Sequence, residues 1–172
     1  MRKDAFWLIL GLFLLGSVII GQNFSYVGSG KCKMCHQTES RGNQYSLWQQ
    51  SKHAQSFSVL TSEKAAERAQ AADVFTPTEA PQCLKCHAPL ADKAPELKDE
   101  GVTCEVCHGP GSASRKFSIM KDRAKAIENG LKLYGSPEAI KTYCLRCHEN
   151  AHHQPFNFAA AWQKIKHPLP QK

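Results

Sequence analysis

The chain has 172 residues, enough for one domain, and carries a formal net charge of +7. No long apolar run follows residue 21, which excludes a large conventional apolar core. All eight cysteines fall into four Cys-x-x-Cys-His motifs, so none is left over for a separate disulfide framework.

In chain order, Arg2 and Lys3 precede a charge-free apolar run at 5–21. This is the pattern of an export signal, and also the lower limit of a membrane span. No small-x-small cleavage site is evident, so residues 1–21 are expected to act as a signal peptide or, slightly favoured, an N-terminal membrane anchor. A polar, Gly/Ser-containing linker follows at 22–30, then the first motif, CKMCH: Cys32, Cys35, His36. Helix is expected at 39–55 and, from its Ala/Glu/Lys content, at 61–74. Pro77 and Pro81 precede the second motif, CLKCH: Cys83, Cys86, His87. Residues 88–101 read as a loop into the third motif, CEVCH (Cys104, Cys107, His108), and Gly109-Pro110-Gly111 as a tight turn. A helix at 119–129 should stop at Gly130. Ser136 and Pro137 start the helix carrying the fourth motif, CLRCH: Cys144, Cys147, His148. Asn157 should cap a last helix at 158–166, with Phe158, Trp162 and Ile165 on one face and Pro168 and Pro170 beyond it. No β alternation of any length is present. The motif separations of 51, 21 and 40 residues follow no common period, so the chain is not a repeat protein.

The motif carries a specific chemistry. Two thiols about one helical turn apart stand on one side and can each add across a porphyrin vinyl group; the histidine that follows is the proximal iron ligand. A zinc ribbon or a disulfide pair would explain the CxxC spacing but not a histidine after every second cysteine. By chance, four such histidines have a probability on the order of 10⁻⁵. The expectation is four covalently attached c-type haems in a domain spanning 31–168, with a tail at 169–172. That allots roughly 38 residues to each cofactor. The fold class expected is therefore mainly α and irregular: short helices and loops wrapped around four haems that themselves form the core, preceded by an N-terminal hydrophobic helix. Loss of Arg2, Lys3 and Asp4 with the N-terminal segment would leave +6, and four ferric haems with their eight propionates would lower that to about +2, so the basic composition does not argue for nucleic acid. Haem is attached to CxxCH outside the bacterial cytoplasmic membrane, which agrees with the N-terminal segment and puts the protein in the periplasm, anchored or released.

Four histidines remain beyond the proximal His36, His87, His108 and His148: His53, His152, His153 and His167. His53 lies in a polar-aromatic stretch with Trp48, and His167 follows the amphipathic last helix; both are candidate distal ligands. His152 is four residues past His148 and, if that helix continues, shares its side; it would then reach a neighbour's haem more easily than its own. His152 and His153 are the less defined candidates. Met34 lies inside a motif, and Met120 reads as structural.

Three stretches resemble the tetrahaem cytochrome c-554 family: CKMCH followed by LWQQSKHAQSF, GVTCEVCHGPG, and CLRCH followed by FNFAAAWQKIKH. The resemblance spans residues 30–167. It implies that His53 is the distal ligand opposite His108, that His167 is opposite His148, and that the haem on His87 lacks a protein distal ligand and is high-spin. In that family the first haem takes its distal histidine from just after the CHGPG turn. Here residues 112–118 read SASRKFS, with no histidine. The haem on His36 must then use His152 or His153, take a weaker ligand, or stay open.

The function expected is electron transfer between redox protein partners through closely packed haems, rather than catalysis. The alternatives are a reductase of nitric oxide or another nitrogen oxide at an open haem, and a haem subunit of a larger membrane redox complex. Lys52, Arg115, Lys116 and Arg146 are candidates to pair propionates or steer an acidic partner.

Overall fold

A computed structural model describes residues 23–169. The expected signal or anchor at 1–21, the first residue of the linker and Pro170 lie outside the described residues. Among the described residues there are ten α-helices and no strand. The helices are α1 (Gly30–His36), α2 (Gln44–Gln49), α3 (Glu63–Ala71), α4 (Pro81–His87), α5 (Cys104–His108), α6 (Gly111–Ser114), α7 (Phe117–Met120), α8 (Arg123–Glu128), α9 (Pro137–His148) and α10 (Phe158–Ile165). None of the described helices is long and apolar enough to cross a membrane.

Capping chemistry sets several of the boundaries. Ser62, Ser136 and Asn157 each accept a hydrogen bond from the N–H three residues on, opening α3, α9 and α10. Each such cap contributes about 1 kcal/mol. α3 closes where Asp73 turns left-handed at φ 53 and Val74 N–H donates back to Ala69.

Two expected helices are broken. The stretch 39–55 is interrupted by Gly42 (φ 92) and Asn43 (φ 49), so only a short 3₁₀ turn at Glu39–Arg41 precedes α2. The stretch 119–129 divides because extended Asp122 turns its carboxylate to cap α8 by accepting from Lys125 N–H, leaving α7 as a separate turn. The chain after His148 also leaves the helical path. Asn150, His152 and His153 all have φ between 52 and 57, a left-handed backbone that costs non-glycine residues about 1–3 kcal/mol each. His152 therefore does not lie one helical turn beyond His148.

The buried apolar side chains are aliphatic, half of them alanine, and include no aromatic ring. They are Leu60, Ala69, Val74, Ala88, Leu90, Ala94, Val106 and Ala126, whereas Met34, Phe75, Phe117 and Leu169 are exposed. What stands in for an apolar core, around the third motif, is polar. Glu105, only 3% exposed, accepts from Val27 N–H (3.0 Å), Gly28 N–H (2.8 Å) and Gly111 N–H (2.7 Å). Glu100 accepts from Ser29 N–H at 2.7 Å, and Ser29 Oγ accepts from Cys104 N–H at 3.3 Å. A buried carboxylate is stable only when donors surround it, and these donors weld the segment entering α1 to the segment carrying α5.

Two glycines are required by close approach. A side chain at Gly101 (φ 67) would meet Ser56 Oγ at 2.5 Å and the His53 carbonyl at 2.7 Å. One at Gly109 (φ 78) would collide with the Gly130 carbonyl. Together with Glu105 they account structurally for the conspicuous GVTCEVCHGPG string.

Candidate functional site

Each Cys-x-x-Cys-His motif occupies the C-terminal end of a helix, with the histidine as its last residue: His36 on α1, His87 on α4, His108 on α5 and His148 on α9. Helical spacing of three brings the paired thiols to one side of each helix. All eight thiols are unpaired and half-buried.

The motifs meet in an order that differs from their order in the chain. Cys32 and Cys104 are neighbours: the Cys104 thiol, ahead of burial, pushes the Cys32 thiol well above its ordinary range, and Cys32 in turn holds Cys104 below it. Burial pushes Cys107 up to about 11, and Cys144 of the fourth motif adds to the shift. Burial and then Cys86 push Cys147 up to about 12, and Cys147 Sγ lies 3.8 Å from the Lys85 carbonyl. The spatial series is therefore first, third, fourth, second.

Three of the motif histidines each face a histidine from outside the motifs. The ring centroids of His53 and His148 are 6.1 Å apart, those of His87 and His152 6.0 Å, and those of His108 and His167 5.9 Å. A metal held between two imidazole nitrogens at about 2 Å from each would separate the centroids by about 6 Å. Aromatic contacts also occur at such separations. What sets these apart is that the same spacing recurs three times, always between one motif and one non-motif histidine.

The protonation of these rings suits a metal. Burial, followed by the neighbouring His167 and His36, lowers His108 to about 4. His53 and His148 are also lowered, by burial first, as are His152 and His167. All five imidazoles are thus kept neutral, with a ring nitrogen free to donate a lone pair. Two motif histidines have an acceptor behind them as well. His87 Nδ1 lies 2.7 Å from the Ser56 carbonyl, which can only accept, so this nitrogen donates and Nε2 is the one available to a metal. His36 Nδ1 lies 3.3 Å from Gln44 Oε1, and the Gln44 amide N–H groups donate to the carbonyls of Arg41 (2.5 Å) and Pro168 (2.9 Å). His148 is stacked at 4.6 Å on Phe156.

The pairing differs from the one implied by resemblance. His53 meets His148, not His108; His167 meets His108, not His148; and His87 has a facing histidine, His152. The reason is topological. Ser56 Oγ, 2.8 Å from the His53 and His87 carbonyls, accepts from Val102 N–H, and Trp48 Nε1–H donates to the Val102 carbonyl. These contacts fix the His53 loop between the second motif and the segment entering the third, and from there the His53 ring meets that of His148. The left-handed residues after α9 turn His152 toward α4. His153 is exposed, and His36 is half-buried near His108 and His167. Lys52, Arg115, Lys116 and Arg146 are exposed, with the Arg146 guanidinium 5.0 Å from the Tyr143 ring. Sequence reasoning passed over Gln44 and Ser56. It also left Glu105 unexplained, although this motif alone has an acidic residue between its cysteines, where the others have Lys33, Lys85 and Arg146.

Helices that end in Cys-x-x-Cys-His, with neutral imidazoles facing three of the four terminal histidines, define a chain built to the pattern of a c-type cytochrome. The comparisons with known proteins agree. Residues 31–109, which hold the first three motifs, match the family described as Cytochrome c554 and c-prime. The chain is 24% identical over 152 residues to cytochrome c-554 of Nitrosomonas europaea, covering 79% of this chain. It spans 63% of that relative's length. No solved structure matches the chain. Both comparisons make the chain similar to cytochrome c-554 proteins. That family implies covalently bound c-type haem, and the thiol pairs and bare imidazole nitrogens described above are a donor set that fits it.

Proposed function

We propose that the chain is a periplasmic tetrahaem c-type cytochrome that transfers electrons between redox protein partners. The thioether positions are Cys32 and Cys35, Cys83 and Cys86, Cys104 and Cys107, and Cys144 and Cys147. The proximal ligands are His36, His87, His108 and His148; the distal ligands are His152 to the iron on His87, His167 to that on His108 and His53 to that on His148. The observation that carries this reading is the threefold recurrence of a histidine pair at 5.9–6.1 Å, each joining a motif to a residue outside it. Haem supplies reversible one-electron chemistry at iron, and ligation by two histidines favours lower potentials than His/Met. The residues do the rest. Burial keeps the imidazoles neutral, the Ser56 carbonyl orients His87, and the contiguous series of motifs keeps the redox centres close enough for electrons to pass between them. The periplasmic location follows from where haem is joined to CxxCH.

The test is to express the full chain in a host competent for c-haem attachment and to weigh the exported product. Four haem additions, reduced to three by Cys83→Ser/Cys86→Ser, are expected. Fewer than four in the unaltered protein would overturn the tetrahaem reading. The same measurement reports whether residues 1–21 remain attached.

A further inference from the structure

We propose that the iron carried by the first motif, on His36, is the one left open to a small neutral ligand such as carbon monoxide or nitric oxide, while His152 closes the iron on His87. This rests on the tetrahaem reading above and reverses the arrangement implied by resemblance, in which the second haem is the open one.

The argument begins with the histidine inventory. The chain has eight histidines, and three facing pairs engage all but His36 and His153. His153 is in the wrong place to serve His36. It adjoins His152, whose ring faces His87 on α4, which places it at the second-motif end of the series. His36 lies at the other end of the motif series. There α1 is joined to α5 through Ser29 Oγ and Cys104 N–H at 3.3 Å, whereas α4 is joined to α9 through Cys147 Sγ and the Lys85 carbonyl at 3.8 Å. The third and fourth motifs stand between the two ends.

The first motif is nevertheless fully equipped on its proximal side. The Gln44 amide N–H groups are committed to the carbonyls of Arg41 and Pro168, so Oε1 can only accept, and His36 Nδ1 must donate to it. His36 therefore offers Nε2 to iron in the same way as His87 does. The nearby His167 already faces His108 at 5.9 Å, so no uncommitted histidine remains to give the iron on His36 a second ligand. A ferrous iron with one imidazole takes neutral diatomic ligands by simple addition, with no bond in the protein broken and no electron transferred.

The experiment is a carbon monoxide titration of the reduced, fully haem-loaded chain, with electron paramagnetic resonance of its oxidised form. One equivalent of carbon monoxide per protein is expected, together with one high-spin ferric haem. Removing the first haem by Cys32→Ser/Cys35→Ser should abolish both signals, and His152→Ala should raise binding from one equivalent to two. Should the double variant fail to accumulate, His152→Ala decides alone. Binding that stays at one equivalent places the open iron on His87 and overturns the proposal. So does an unaltered protein that is wholly low-spin and inert to carbon monoxide, which would mean that Met120 or another side chain fills the site. The haem count separates the two failures: four haems with ligand binding in the wrong place refute this inference and leave the tetrahaem reading intact.

Discussion

The two halves of the motif series are held together by different means. Between the first and third motifs the polypeptide does the work: Glu105 and Glu100 gather the backbone N–H groups of Val27, Gly28, Ser29 and Gly111 at 2.7–3.1 Å. Between the second and fourth motifs the contacts are sparser, consisting of a 3.8 Å sulfur–carbonyl approach, the facing histidine pairs and the stack of Phe156 on His148. One end is welded by protein hydrogen bonds. The other is arranged so that whatever fills the space between the histidines completes it.

The largest effect expected from breaking this contrast is at Glu105. Glu105→Ala strands three buried or half-buried N–H groups and should destabilise the haem-loaded protein by about 3–5 kcal/mol, read as a fall in the denaturant midpoint. Glu105→Gln keeps one accepting oxygen and should lose less. A cost under about 1 kcal/mol for Glu105→Ala would show that the first and third motifs are also held mainly by cofactor.

Phe156→Ala tests the opposite end and should be milder. The Phe156 ring lies 12° from parallel to His148, an aromatic contact that contributes about 1 kcal/mol beyond its buried area. Its loss should perturb the low-spin signal of the haem proposed to lie between His53 and His148 and leave the other signals unchanged. A loss as large as that of Glu105→Ala would erase the distinction between the two ends.

The sequence disclosed the local chemistry and withheld the long-range pairing. The Cys-x-x-Cys-His motifs and the Ser136 and Asn157 caps are readable because each depends on residues within one helical turn. Gly42 and Asn43 broke an expected helix because two successive left-handed residues outweigh the helix propensity around them. Which histidine faces which is different. His53 and His148 are far apart in the chain, and His152 reaches His87 only because three non-glycine residues adopt a left-handed backbone that no local pattern announced. Resemblance could not supply that pairing either, because it transfers motif positions rather than the path of the intervening loops.

The smallest effect, and the most local, is expected at Gln44, the residue behind His36. His87 donates to a main-chain carbonyl, which no substitution of Ser56 removes, whereas His36 relies on a side chain. Gln44→Leu deletes the acceptor and should cost about 1 kcal/mol of stability or less. Its main consequence is electronic: an imidazole that no longer donates from Nδ1 is a weaker base toward metal, so the potential of the haem on His36 should rise. Gln44→Glu restores a stronger acceptor and should lower it below that of the unaltered protein. In a redox titration only one of the four transitions should move, and in opposite directions for the two variants. Because Gln44 also grips Pro168, next to His167, a second transition moving in step would reveal that the first and third haems are coupled through this one amide.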